Sequence, residues 1–261
     1  TLLQLDGDVQ WLVQEMGMYD LGEIARLAAI ARPEIGVVTN VGPTHLERLG
    51  SIARIAQAKA ELVQALPAEG VAVLNGDDPR VKAMAGLTRA RVWTYGLREG
   101  NDLWASDVVA RGLEGLALRL NTGTESVAAT LPLVGAHSVY AALAAASVGL
   151  LQGLGWEAII AGLSDPSVQS RIQRVAGIRG ATILDDTYNA SPASVKAALD
   201  VLAQMPGRRV AVLAGMLELG SEQDSGHRTV GRQAAEVASV LVTIGELGGI
   251  VADEARRAGM P

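Results

Sequence analysis

Short aliphatic runs alternate with turns and helix-spaced segments along most of the 261 residues. Strands that read as unbroken apolar runs need cover on both faces, and intervening helices supply it. The rhythm therefore predicts a mostly parallel sheet with helices on both sides. Strands are expected at 11–14, 35–39 and 71–74, with helices over 21–32 and 51–66. Asp20 and Glu23 have capping-box spacing, and Pro33 and Pro67 end the two helices. Residues 91–95, 103–110, 116–120 and 127–131 read as short strands of an antiparallel appendage to the same domain. An Ala-rich helix after His137 and another over 156–163 close this part. The alternation then restarts with a strand at 181–184 and a helix that Ser191 caps and Pro192 opens, running to about residue 205. A strand at 210–213, a helix over 222–238 and a strand at 240–244 follow. Asp, Pro and Ser cluster at 166–170, which marks a domain boundary. The expected class is α/β in two domains. The first, 1–168, holds the parallel sheet with its small antiparallel appendage. The second, 169–261, is Rossmann-like.

Composition narrows the chemistry. With no cysteine, disulfides, thiolate metal sites and cysteine nucleophiles are excluded together. With no phenylalanine, the core must be built from Leu, Val, Ile and Ala. The formal charge is −6 and no basic run occurs, which argues against nucleic acid or an anionic membrane as partner. The longest apolar stretch, 139–151, is too short for a membrane span. The absence of cysteine fits a cytoplasmic protein, and the opening residues TLLQLDGDVQ show neither a basic n-region nor a long apolar core.

In open parallel sheets, ligands bind beyond the carboxyl ends of the strands. Glu15 follows the first expected strand, and Asn40 and His45 follow the second. Asn75, Asp77 and Asp78 follow the third, and Asp185, Asp186, Tyr188 and Asn189 follow the strand at 181–184. Each has a plain alternative: Glu15 as a solvated turn residue, His45 as a turn cap, Asp78 as a helix cap before Pro79, Asp186 as a loop residue. Lys59 lies on the apolar stripe of its helix, four residues after Ile55 and three before Leu62. Either its stem packs while its head reaches water, or the amine is altered or paired at a site. No G-x-x-x-x-G-K-[ST] phosphate loop occurs in these residues.

Five strings resemble the Mur ligases: EMGMYDLGEIARLAAIARPEIGVVTNVGPTHLERLGS (15–51), AQAKAEL (56–62), LNGDDPRV (74–81), LDDTYNASPASVKAAL (184–199) and GRRVAVLAGMLELG (207–220). Within that family the resemblance points to the member that joins D-alanyl-D-alanine to UDP-N-acetylmuramoyl-tripeptide. It does so with ATP, through an acyl phosphate, during peptidoglycan precursor synthesis. The resemblance implies that Glu15, His45 and Lys59 hold magnesium and carry catalysis, with Lys59 carbamylated. An unmodified ammonium ~4 Å from a divalent cation would be repelled by roughly 8 kcal/mol at an effective dielectric of ~20. A carbamate reverses that sign and offers the oxygen donors magnesium prefers. It further implies that Arg171 reaches the ATP phosphates, Asp186 the ribose and His137 the adenine side. Asn40, Tyr188 and Asn189 would line the nucleotide and dipeptide region. The sequence departs from the family pattern at Ser138, Ala141, Ser191 and Gly215. The family's amino-terminal UDP-binding domain and phosphate loop have no counterpart in these residues. The resemblance makes 1–168 the family's central mononucleotide-binding domain and 169–261 its Rossmann-like carboxy-terminal domain; the chain is expected to be a fragment unable to complete the ligase reaction alone, and a monomer is expected. Two rivals are a folylpolyglutamate synthase-like or other Mur-type ligase and a non-catalytic nucleotide-binding remnant of the fold.

Overall fold

The computed structural model describes residues 6–43, 46–165 and 172–261. Arg171 and His45 therefore lie outside the described residues, as does the whole of the expected boundary at 166–170.

The first domain is built on a sheet of order β1-β2-β3-β4-β5-β6. Its strands are β1 (Ile35–Val38), β2 (Val71–Asn75), β3 (Arg91–Gly96), β4 (Leu103–Ala110), β5 (Leu116–Asn121) and β6 (Ser126–Leu131). The β1–β2 and β2–β3 pairs are parallel, in the registers Ile35 opposite Val71 and Val71 opposite Arg91. The β3–β4 pair is also parallel, whereas β4–β5 and β5–β6 are antiparallel. The strand expected at 91–95 is thus a parallel member of the main sheet and not part of the appendage. The reason is connectivity: helix α4 (Pro79–Ala83) and the turn after it carry the chain back from the end of β2 before β3 begins.

Helix α1 (Glu23–Ala31), the short α2 (Leu46–Leu49) and α3 (Ile52–Ala65) cover one face. There Ile55, Ala58 and Val63 of α3 meet Ala72 and Leu74 of β2. Helices α5 (Val139–Leu151) and α6 (Trp156–Leu163) cover the other, where Val139 and Leu143 meet Val73 and Tyr95. Burying a Leu or Val of this kind contributes about 1.5–3 kcal/mol. Helix α3 forms where the sequence predicts it: Ser51 accepts the N–H of Arg54 at 3.2 Å, and Pro67 ends it.

Residues 11–14 form no strand. Trp11, Leu12 and Val13 all face solvent, Val13 being 91% exposed, and no neighbouring strand pairs with them among the described residues. Helix α1 also starts later than expected. Glu23 accepts the N–H groups of Tyr19 at 2.6 Å and Asp20 at 3.2 Å, but the N-cap is Gly22, which has no side chain to offer.

The second domain begins with an antiparallel pair, β7 (Gln173–Ala176) and β8 (Thr182–Asp185). A parallel pair follows, β9 (Val210–Leu213) with β10 (Val240–Thr243). It carries α7 (Pro192–Ala203), α8 (Gln223–Val237) and α9 (Gly245–Arg257). Ser191 and Ser194 form the capping box of α7, with Pro192 in its first turn. Strand β7 and helix α9 were not anticipated from the sequence. The domains meet through a small apolar cluster: Val134 and Leu113 from the first, Ile172, Leu184 and Val201 from the second. Nearby, the Gly112 N–H donates to Gln204 Oε1 at 3.2 Å.

Helices α8 and α9 are tied by Glu254, which receives Arg232 at 2.7 Å, Arg228 at 3.1 Å and Arg257 at 3.3 Å. The hydrogen bonds from Arg232 and Arg228 hold its carboxyl below the usual carboxylate range. A carboxylate of depressed pKa stabilises the fold above its unfolded value, and that contribution is lost as pH falls through the folded value. Urea unfolding should therefore show Glu254→Gln less stable than the parent at pH 6, and the gap should close below about pH 4.

Candidate functional site

The loops that leave β1 and β2 are sewn together by side chains of the second. Asn75 is buried, and its Nδ2 donates to the Thr39 carbonyl at 2.8 Å. Its Oδ1 accepts the Asp77 N–H at 3.0 Å. Asp78 caps α4, with Oδ1 accepting the N–H groups of Arg80 at 2.9 Å and Val81 at 3.3 Å. Its second oxygen accepts the Val41 N–H at 2.8 Å. The capping reading of Asp78 is correct, and the same carboxylate also holds the loop that contains Asn40, itself exposed.

Asp77 points the other way. Its Oδ2 accepts the Leu97 N–H at 2.5 Å and the Tyr140 hydroxyl at 3.1 Å, joining the ends of β2 and β3 to α5. Gly96 is required here, because a Cβ on it would fall 2.6 Å from Asp77 Oδ2. Asp77 Oδ1 is buried without a hydrogen bond, and Arg98 Nε stands 3.8 Å away. Burial, reinforced by the charge of Asp77, pushes the Tyr140 phenol up to about 12, so it stays a hydrogen-bond donor.

Lys59 is half-buried on α3, between the fully buried Ala58 and Ala60. Burial pushes its ammonium below the usual lysine range, and the charge of Asp78 opposes that shift. No carboxylate of a described residue lies within ion-pair distance of its amine. This is the setting in which an amine is more readily neutral, the form that reacts with carbon dioxide.

Glu15 is exposed, on a segment anchored by Met16 and Met18 against the core. The start of α1, which follows that segment, is tied to the Lys59 helix by Glu61, whose carboxylate accepts the N–H groups of Gly22 at 2.6 Å and Ala25 at 3.0 Å. A cap that Gly22 cannot supply thus comes from α3, two residues beyond Lys59. Among the described residues, no group of three His, Cys, Asp or Glu side chains gathers closely enough to hold a metal ion.

His137 is exposed on the 3-10 turn Ala136–Ser138 that leads into α5. In the second domain, Asp186 is half-buried, and Tyr188 and Asn189 are exposed beyond β8. Asn189 Oδ1 accepts the Ala190 N–H at 2.8 Å. Leu184, two residues before Asp186, packs in the cluster that contains Val134, three residues before His137. Sequence reasoning assigned no bridging role to Asp77, Tyr140 or Glu61. The bare glycine start of α1 was a signal for Glu61; nothing in the sequence pairs Tyr140 with Asp77.

An α/β domain with these joined strand-end loops, followed by a second α/β domain, defines a class. Residues 1–149 match the Mur ligase middle domain, and residues 170–259 match the Mur ligase glutamate ligase domain. The chain belongs to the Mur ligase family. It is 36% identical over 242 residues to the UDP-N-acetylmuramoyl-tripeptide–D-alanyl-D-alanine ligase of Escherichia coli, covering 92% of this chain and 53% of that protein. The crystal structure of MurF from Acinetobacter baumannii superposes with a TM-score of 0.89 at 29% identity, over 98% of this chain and 56% of that one. The MurF ligase of Thermotoga maritima in complex with ADP does so with 0.80 at 26% identity, over 90% and 55%. The chain spans about half the length of the relatives it matches.

Asp78→Ala removes both the α4 cap and the bridge to Val41. We expect a loss of about 2 kcal/mol in urea unfolding, with faster exchange of the Val41 amide. An unchanged Val41 amide would count against the bridge.

Proposed function

We propose that the chain carries the ATP-handling and second-domain parts of an ATP-dependent amide ligase. That enzyme joins D-alanyl-D-alanine to UDP-N-acetylmuramoyl-tripeptide in peptidoglycan precursor synthesis. The observation that carries the reading is Lys59: a half-buried amine that burial makes less basic, with no ion-paired carboxylate among the described residues, in the field of Asp78, which joins the loops at the sheet's carboxyl edge. The family membership and the ADP-bound relative support the nucleotide assignment.

The chemical problem is repulsion between a substrate carboxylate and a triphosphate. Magnesium, when bound by Glu15, His45 and the carbamate of Lys59, would offset that charge and the charge of the transferring phosphoryl group. The carboxylate oxygen attacks the terminal phosphorus of ATP, the bond to the bridging oxygen breaks, and ADP leaves. The dipeptide amine then attacks the acyl phosphate carbon and inorganic phosphate departs. In this reading the Asn75 and Asp78 bridges hold the loop that carries Asn40 and leads to His45. Glu61 ties the start of α1, which follows the Glu15 segment, to the Lys59 helix. Asn40 and His137 face the nucleotide from the first domain. Arg171, Asp186, Tyr188 and Asn189 come from the second, so the two domains close over ATP. Nucleotide-linked substrates place the reaction in the cytoplasm, with the enzyme acting as a monomer away from the membrane. No helix among the described residues is long and apolar enough to cross one.

The modification and the reaction are tested separately. In carbon-13 bicarbonate, this chain should show a carbamate carbonyl resonance that Lys59→Arg abolishes. Its absence with magnesium present would remove Lys59 from the site. In the full-length gene product, phosphate release should require ATP, the UDP-linked tripeptide and the dipeptide together. Lys59→Ala should lower turnover by on the order of 100-fold or more. Turnover with folate and glutamate instead would move the protein to the rival ligase class. Nucleotide binding without turnover would make it a binding module.

A further inference from the structure

His227 is fully buried on α8, and both of its ring nitrogens are engaged. Nδ1 lies 2.6 Å from the Gln223 carbonyl oxygen, one helical turn earlier. Nε2 accepts the Met216 backbone N–H at 2.9 Å. A carbonyl can only accept and a backbone N–H can only donate. The surroundings therefore select the neutral tautomer with its proton on Nδ1.

Met216 belongs to the loop between β9 and the 3-10 turn Gly220–Glu222. That loop is pinned by buried Met216 and Leu219, and it passes through the left-handed region at Glu218 (φ 61) and Gly220 (φ 51). A non-glycine residue held there persists only where its surroundings over-determine it. The strained geometry turns the Glu218 carbonyl toward the first domain, where it accepts the Glu47 N–H of α2 at 3.3 Å. Gly220 approaches so closely that a Cβ on it would meet Glu47 N at 3.1 Å. In the sequence, α2 begins one residue after His45.

We infer that His227 is a positioning residue: its tautomer-locked imidazole sets the 214–220 loop, and that loop docks the second domain on α2, the helix that follows His45 in the sequence. The docking stands on these contacts alone. Its importance for turnover rests on the ligase reading above.

The test is amide hydrogen exchange on the whole chain, with no activity assay. In His227→Leu, protection of the Met216 and Glu47 amides should both fall by roughly tenfold or more, while Val230 and Ala234 on the same helix keep theirs. His227→Gln retains an acceptor and a donor of similar reach and should restore most of the protection at both amides. Loss at Met216 with Glu47 unchanged overturns the coupling. A Gln variant that behaves like the Leu variant shows volume rather than hydrogen bonding at work, and it overturns the assignment too. If the Leu variant fails to fold, the Gln variant is read together with imidazole nitrogen-15 spectra of the parent. The protein has only three histidines. A His227 ring protonated on Nε2, or an unprotected Glu47 amide in the parent chain, rejects the inference. Failure of the ligase assay with these exchange results intact would reject only the functional reading.

Discussion

Burial of β2 on both faces is the constraint from which the rest of the first domain follows. Ala72, Val73 and Leu74 have no solvent exposure, so α3 must lie on one side of the strand and α5 on the other. Parallel neighbours on both edges make the strand end at Asn75 between two others, where its buried polar groups need partners in the adjoining loops. The side chains of Asn75, Asp77 and Asp78 meet that demand by bonding the loops after β1 and β3. The same arrangement gathers polar groups at one edge of the sheet and brings Lys59 into the field of Asp78. Structural satisfaction and a candidate chemical site therefore share one set of residues.

The second domain shows the complementary situation. Its parallel pair is short, and Val212 and Val242 leave apolar surface exposed. Its order comes from helices, through the arginines around Glu254 and through His227 within α8. Among the described residues, contact with the first domain combines the apolar cluster around Ile172 with polar contacts of Gly112 with Gln204 and Glu47 with Glu218.

Much of the architecture was legible in the residues. Ser51 with Pro67, and Ser191 with Pro192, bound their helices through local hydrogen bonding and proline geometry, which need no tertiary partner. The aliphatic run at 71–74 is a strand because only burial on both faces suits it, and the runs at 35–39 and 210–213 supply strands as well, the last with one face left open. The run at 11–14 has the same local character and forms no strand, since strand formation depends on a neighbour that no residue within the run can provide. The strand at 91–96 was assigned to the wrong kind of pairing, because parallel and antiparallel partners impose the same local pattern.

The order of residues by itself determined the alternating α/β class, the cysteine-free chemistry and the polar groups available at each strand end. Periodicity and capping act over a few residues, and the Mur ligase resemblance rests on strings of residues. Only the tertiary structure decided that Glu61 caps a helix 39 residues away, that Asp77 meets Tyr140, and that buried His227 bears on a loop touching the other domain. Those contacts satisfy buried or orphaned polar groups. Which distant side chain satisfies each one is set by how the layers pack, a property that no local stretch of sequence contains.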